Sequence, residues 1–159
     1  MIRIEKDVVI NRPVQDVWDF VTDLRNSPQW TRSGSELRQI SDGPPEVGAR
    51  IESRRQLFGR LEIKSQSIVV TEWDPNHAVA YVAKVPLLGR AVQRLSFEPT
   101  DDGTRLTRST EVEVGRALRW LQTWLPRLIG SIHATELASL KRLIEATSRS
   151  NAASPGKIG

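Results

Sequence analysis

The sequence predicts an α+β fold, in which a strongly curved antiparallel sheet of seven strands wraps around one long C-terminal helix. Residues 37–114 alternate between apolar and polar positions in six segments separated by short turns, which is typical of an antiparallel meander. Residues 2–10 alternate in the same way and supply one earlier strand. Residues 126–147 follow the helical period instead, with apolar side chains on one arc. Two short helices after the first strand complete the order β-α-α-β6-α.

The N-terminal elements follow from this alternation and from one proline. In the strand at 2–10, one face carries Ile2, Ile4, Val8 and Ile10, and the opposite face carries Arg3, Glu5 and Asp7. Pro13 then stands at the first position of a helix, where its missing N–H costs nothing. Apolar residues at i, i+3, i+4 and i+7 from Val14 predict an amphipathic helix of about three turns. A second, shorter helical segment is expected over about 24–30, interrupted by Pro28.

Turn sequences bound the strands of the meander. Gly43-Pro44-Pro45 and Asp74-Pro75-Asn76 predict turns, and Asp101-Asp102-Gly103 predicts a hairpin. After a first strand near residue 37, we therefore expect strands at 49–57, 60–73, 77–85, 90–98 and 104–114. Because the connections are short, neighbouring strands are expected to be antiparallel.

The C-terminal helix carries polar residues on its apolar side. Its apolar arc is formed by Leu128, Ile129, Ile132, Leu140 and Leu143. Glu136 lies near the middle of this arc, and His133 lies at its edge one turn away. Because a carboxylate that faces a dry core is costly, we infer that the helix closes a cavity. The preceding segment, 117–124, is expected to be helical until Pro126 breaks or restarts the helix.

Length and charge indicate one globular domain, residues 1–147, followed by a small polar tail, residues 148–159, that is expected to be disordered. The net charge is +4, but the basic residues are scattered and do not alternate with aromatic residues, so we expect no nucleic-acid binding. No apolar run approaches the roughly 20 residues of a transmembrane helix. The N-terminus is charged and has no signal-type apolar block, which predicts a cytoplasmic protein.

Several chemistries are not expected. The chain has no cysteine, which excludes a disulfide framework, a thiolate metal site and a cysteine nucleophile. Its two histidines, His77 and His133, lie far apart in the sequence, so no metal site is expected. Neither a glycine-rich phosphate loop nor a G-x-S-x-G nucleophile motif occurs, and we predict no cofactor.

Four segments carry a resemblance to a known family. The segment INRPVQDVWDFVTDLRNSPQW at 10–30 is similar to the opening of the START-like (SRPBCC) superfamily, of the polyketide cyclase/dehydrase and lipid-transport type. TEWDPNHAVAY, DDGTRLT and LASLKRLIEA follow where that pattern expects them, so the resemblance covers about residues 2–147. It implies the Bet v 1-like helix-grip fold, with a cavity for a hydrophobic or amphipathic small molecule between the sheet and the C-terminal helix. It carries over no catalytic residue, because no catalytic motif of the family matches.

Strand parity and the helical arc select the side chains that would face this cavity. These candidate ligand-binding residues are Trp30, Arg55, Leu57, Trp73, Tyr81, Gln93, Arg108, Thr110, Ile129, Ile132, His133, Glu136 and Leu140. Glu136 and His133 are the candidates for acid/base catalysis, because burial raises the pKa of a carboxylic acid. The alternative is that Glu136 pairs with an inward Arg55 or Arg108, with His133 as a satisfied neighbour.

Three functions follow as hypotheses. The first is binding of a small hydrophobic or amphipathic molecule that resembles a lipid, a polyketide or an isoprenoid. The second, less favoured, is a polyketide cyclase or dehydratase that uses the acid/base residues of the cavity. The third is a protein-interaction domain, including a homodimer, that uses Trp120 and Trp124. These two residues either form an exposed apolar patch at the cavity entrance, in contact with a membrane, a partner or a second copy, or pack across the helix junction. Packing is the favoured alternative.

Overall fold

The computed structural model describes residues 1–32, 34–57, 61–85 and 89–152, without the side chains of 55–57, 61, 63–67 and 148–152. The strands are β1 (Ile2–Ile10), β2 (Glu36–Gln39), β3 (Arg50–Leu57), β4 (Leu61–Asp74), β5 (Ala78–Val85), β6 (Gly89–Thr100) and β7 (Gly103–Val112). The helices are α1 (Val14–Thr22), α2 (Ser27–Trp30) and α3 (Leu125–Ala152), with 3₁₀ helices at Leu24–Asn26 and Arg116–Gln122.

The strands form a single seven-stranded sheet in the order β1-β7-β6-β5-β4-β3-β2. Every neighbouring pair is antiparallel, as the short connections require. The pairing register shifts between Ile51 and Ser53 and again between Val70 and Glu72. Such irregularities bend a strand and increase its twist, so they favour a sheet that curves around α3. The predicted fold class, strand number and closing helix are confirmed.

The largest hydrophobic cluster fixes the C-terminal half of α3 and α1 against the sheet. The residues of α3 in this cluster are Leu137, Leu140 and Ile144. At its centre, the ring of Trp18 on α1 makes edge contacts with Trp73 and Phe97, at centroid distances of 5.3 and 5.1 Å. Edge-to-face aromatic pairs add specific geometry to simple burial. This end of α3 therefore packs directly on the sheet.

A second cluster fixes the beginning of α3 against the start of β1. Leu125 is buried with Ile2 and Ile4, and Ile129 packs beside them. Between the two clusters, the buried side of α3 carries His133 and Glu136, which are 3% and 6% exposed. The helix is therefore anchored by apolar contacts on both sides of a polar middle section.

The structure corrects the predicted orientation of α3 at its first turns. Leu128 was expected on the apolar arc, but it is 45% exposed. From Gly130 onward the buried stripe runs at spacings of three and four residues, as is typical of one helix face; its residues are Gly130, His133, Glu136, Leu137, Leu140 and Ile144. Leu128 lies off this stripe because the side of the helix that faces β1 is set by Leu125 and its contacts.

Smaller differences concern the ends of the helices. The segment predicted at 24–30 is a 3₁₀ turn followed by α2, and the segment before Pro126 is a 3₁₀ helix. The tail was expected to begin at residue 148, but α3 continues to Ala152, and residues 153–159 lie outside those described. None of the helices described is long and apolar enough to cross a bilayer.

Gly103, at the turn between β6 and β7, is expected to be intolerant of a side chain. Its φ is +136°, and a Cβ there would overlap the carbonyl oxygen of Ile10 and lie 2.8 Å from the backbone nitrogen of Arg12. We expect Gly103→Ala to lower the free energy of unfolding by about 2 kcal/mol. Chemical denaturation measures this loss. Gly43→Ala is the control for backbone strain alone, because Gly43 has a φ of +92° and open space around it; equal losses in the two variants would contradict the steric argument.

Candidate functional site

A partly enclosed cavity of about 310 Å³ lies between the sheet, the segment around α2 and the middle of α3. Its described lining comes from α1 and α2, from strands β2 to β7 and from a single residue of α3, Glu136. Most of this lining is apolar, with aliphatic residues such as Val21, Leu24 and Ile51. The volume is near the lower end of the roughly 300–1,000 Å³ of typical ligand pockets.

The polar end of the cavity is built around one ion pair. Arg108 on β7 donates a hydrogen bond from Nη1 to Oε2 of Glu136 on α3, and the two side chains are 10% and 7% exposed. The other carboxylate oxygen, Oε1, accepts the backbone N–H of Arg32 at 2.9 Å. The Arg108 guanidinium also lies 5.8 Å from the ring centroid of Trp30, within the range of a cation–π contact. Both oxygens of Glu136 are therefore occupied by donors.

The alternation of β7 places these polar groups in the cavity. Thr104, Leu106, Arg108, Thr110 and Val112 are all buried, and the residues between them are less so. The register pairs Thr110 with Gln93 on β6, and pairs Gln93 with Tyr81 on β5. Because directly paired residues point to the same face of a sheet, Tyr81, Gln93 and Thr110 form a polar row across three strands.

Within this row, Gln93 and Tyr81 are the groups with spare hydrogen-bonding capacity. Gln93 accepts from Arg108 Nη2 at 3.3 Å through its Oε1, which orients its amide N–H₂ group away from the arginine. Burial raises the pKa of the Tyr81 phenol to about 12, so the hydroxyl keeps its proton at neutral pH. Ser27 Oγ and Trp30 Nε1, on α2, have no hydrogen-bond partner among the described residues. The cavity therefore has neutral polar groups beside a self-compensated ion pair.

His133 lies behind Thr110 and outside the described lining. Its Nε2 is 3.2 Å from Thr110 Oγ1, while its Nδ1 has no partner among the described residues. Burial lowers the pKa of His133 to about 4, the positive charge of Arg108 adds to this effect, and Glu136 opposes it. At neutral pH the imidazole is therefore uncharged, and it supports the strand through Thr110.

The cavity brings together about half of the predicted ligand-binding residues. Those that line it are Trp30, Tyr81, Gln93, Arg108, Thr110 and Glu136. Among the others, Trp73 and Leu140 belong to the large hydrophobic cluster, Ile129 packs at the start of β1, and Ile132 is half-buried outside the lining. The side chains of Arg55 and Leu57 lie outside the described residues. Of the two arginines proposed as partners of Glu136, Arg108 forms the pair.

Among the lining residues that sequence reasoning did not select, two groups are informative. Ala83 and Ala91 face the cavity as a directly paired position on β5 and β6. They share parity with Tyr81 and Gln93, so small residues on an inward face were an available signal for open space. The second group comprises Leu24, Ser27, Thr31, Ser35 and Leu37. That segment is too short and irregular for a periodic signal.

The sequence favours packing of Trp120 and Trp124 across the helix junction, and the structure leaves both side chains exposed instead. They are 63% and 43% exposed, with ring centroids 6.1 Å apart. The apolar contacts at this junction are made by Leu121 and Leu125 instead. In the part of the chain that the structure describes, no group of three His, Asp or Glu residues is arranged to hold a metal ion.

Solved structures share this architecture at low sequence identity. The protein TTHA0849 from Thermus thermophilus superposes with a TM-score of 0.73 and 16% identity, covering 92% of this chain and 99% of that one. The di-domain ARO/CYC proteins StfQ, from the steffimycin biosynthetic pathway, and BexL, from the BE-7585A pathway, give TM-scores of 0.75 and 0.74 at 13% and 19% identity. These two matches cover 92% and 91% of this chain, but only 51% of the StfQ chain and 47% of the BexL chain. At such identities the likeness shows the fold.

The family is shown by a separate comparison. A search of curated protein sequences finds no match. The family model described as polyketide cyclase / dehydrase and lipid transport matches residues 1–145, which is nearly all of the described domain. The chain therefore belongs to the polyketide cyclase/dehydrase and lipid transport family, with the helix-grip fold.

Proposed function

We propose that this protein binds a small, mainly apolar molecule that carries a neutral oxygen-containing end, such as a hydroxyl or a carbonyl group. The observation that carries the proposal is the division of the cavity wall into an aliphatic part and a compact polar row. Burial of the apolar body would supply most of the binding energy, at about 25 cal/mol per Å² removed from water. The polar row would fix the orientation of the ligand.

Charge balance in the cavity favours a neutral ligand over an ion. Arg108 and Glu136 compensate each other, and Glu136 takes a further hydrogen bond from the Arg32 backbone. A ligand carboxylate beside this pair would add a buried negative charge with no positive charge left to balance it, which costs several kcal/mol. A neutral oxygen, in contrast, can accept from the Tyr81 hydroxyl or the Gln93 amide without disturbing the pair.

Binding is favoured over catalysis for the same reason. A general base must lie within hydrogen-bond reach of the proton that it removes and must be able to take up that proton. Protonation of Glu136 would break its ion pair with Arg108, and His133 contacts Thr110 from outside the described lining. A cyclase or dehydratase activity, the enzyme alternative, would require this pair to open when a substrate enters.

Filling the cavity is expected to abolish ligand binding while leaving the fold intact. We expect Ala91→Leu, at the paired alanine position, to weaken binding at least about tenfold, because the added carbons occupy ligand space. The assay is a thermal-shift screen of small apolar alcohols and ketones, since a ligand that binds only the native state raises the melting temperature. Mass spectrometry of the same mixtures reports any substrate that is converted.

The matched control is Ala146→Leu, the same change on the exposed face of α3. Wild type and Ala146→Leu should be stabilised by the same compounds, and Ala91→Leu should not respond. Equal stabilisation of Ala91→Leu would contradict binding in this cavity. Conversion of a compound by wild type would replace the binding proposal with the enzyme alternative.

A further inference from the structure

We propose that an exposed apolar surface at the start of α3 docks on an anionic phospholipid bilayer. We call it the tryptophan surface; it consists of Trp120, Trp124 and Leu128, with Arg116, Arg119 and Arg127 around them. Trp120 is 63% exposed, Trp124 is 43% exposed and Leu128 is 45% exposed. The inference does not depend on the ligand of the cavity, because none of these residues belongs to its described lining.

The local structure holds these side chains outward on a rigid base. The rings of Trp120 and Trp124 are 6.1 Å apart, and Leu128 lies one helical turn after Trp124, whose backbone carbonyl accepts the Leu128 N–H. Leu121 and Leu125, in contrast, pack against the start of β1. That cluster already fixes the segment, and among the described residues each tryptophan ring makes its aromatic contact with the other one.

The charge around the tryptophan surface is positive. Residues 114–135 contain no Asp or Glu, and Arg116, Arg119 and Arg127 are exposed without an ion-pair partner among the described residues. A shallow depression beside α3 adds Lys6, together with Arg3, whose charge is compensated by Glu5 and Glu111. The acidic residues that border the segment are Glu113 and Glu136, and Glu136 is paired with Arg108. The net field therefore suits an anionic partner.

A bilayer surface fits this combination better than a second copy of the chain. A two-fold dimer through the tryptophan surface would bring the arginines of one copy against the same arginines of the other. Tryptophan side chains prefer the interface between headgroups and acyl chains, where the ring is buried and the indole N–H stays hydrated. Arginines beside them add attraction to anionic lipids. Docking at the bilayer interface therefore uses both the tryptophan rings and the surrounding arginines.

Sedimentation with vesicles tests the proposal directly. Full-length protein should bind vesicles of phosphatidylglycerol mixed with phosphatidylcholine, and binding should weaken as salt is added. Trp120→Ala with Trp124→Ala should lower the partition coefficient at least about tenfold. Arg119→Gln with Arg127→Gln should lower it about fivefold per charge at low salt.

The controls change one exposed apolar residue and one exposed arginine outside the tryptophan surface. Val47→Ala shortens a side chain that is 61% exposed, and Arg142→Gln removes the charge of an exposed arginine on the later part of α3. Both variants should bind vesicles like wild type. Circular dichroism of each variant verifies that the fold is retained. Absence of vesicle binding by wild type, or equal loss in the controls, would overturn the proposal. A dimer formed by wild type but not by the tryptophan variant would also overturn the proposal, because it would assign the surface to a second copy of the chain.

Discussion

Replacing Arg108 by methionine is expected to lower the free energy of unfolding by about 3–5 kcal/mol. The change leaves the Glu136 carboxylate in a buried site with only the Arg32 backbone N–H as a donor. It also removes the guanidinium contacts to Gln93 and to the Trp30 ring. Urea or guanidinium denaturation of wild type and variant at neutral pH measures the loss.

Two comparisons separate this pair from an ordinary ion pair. The combined change Arg108→Met and Glu136→Leu should recover most of the lost stability, because it removes both buried charges together. Arg94→Met breaks the more exposed pair with Glu72, whose side chains are 46% and 37% exposed, and should cost at most about 1 kcal/mol. If Arg108→Met lowers the free energy of unfolding no more than Arg94→Met does, the buried pair does not contribute the expected stability.

Acidification is expected to destabilise the protein through His133 by up to about 3 kcal/mol between neutral pH and pH 4. Burial holds the pKa of His133 at about 4 in the folded state, below its ordinary value of 6.5. Between pH 6.5 and pH 4, His133 is therefore mostly protonated in the unfolded chain and mostly neutral in the folded chain. The contribution of the neutral imidazole is complete above pH 6.5 and is lost as the pH falls towards 4.

The measurement is the free energy of unfolding as a function of pH for wild type and His133→Gln. Because Asp and Glu side chains in general also titrate in this acidic range, the informative quantity is the difference between the two curves. That difference should change by about 3 kcal/mol over this range. His77→Gln is the matched control, because the His77 side chain is 72% exposed. Parallel curves for wild type and His133→Gln would show that His133 does not carry the effect.

Local patterns were sufficient for most of the fold. The alternation of β7 correctly placed Arg108 and Thr110 inward, and parity did the same for Gln93 and Tyr81. The helical period correctly identified Glu136 as a buried carboxylate in need of a partner. These successes share a cause: in a half-buried element, period alone decides which face a residue occupies.

The position of the cavity along the sheet was not available from these patterns. It depends on the register shifts in β3 and β4 and on the angle between the 3₁₀ helix and α3. The same angle decides that Leu128 is exposed while Leu125 is buried. Both are set by contacts between segments distant in sequence, whereas hydrophobic period reports only one element at a time.

Because apolar contacts anchor α3 on both sides of its polar middle section, that section and the anchors are separable parts of the molecule. For the ligand proposed above, exchanging positions 93, 108 and 136 as a set would change what the pocket accepts, while Leu137, Leu140 and Ile144 continue to hold the helix on the sheet. The three positions have to change together, because their side chains are hydrogen-bonded to one another and neighbouring substitutions are not additive. Selection could therefore retune such a pocket in a few coordinated steps, and a protein engineer could follow the same route.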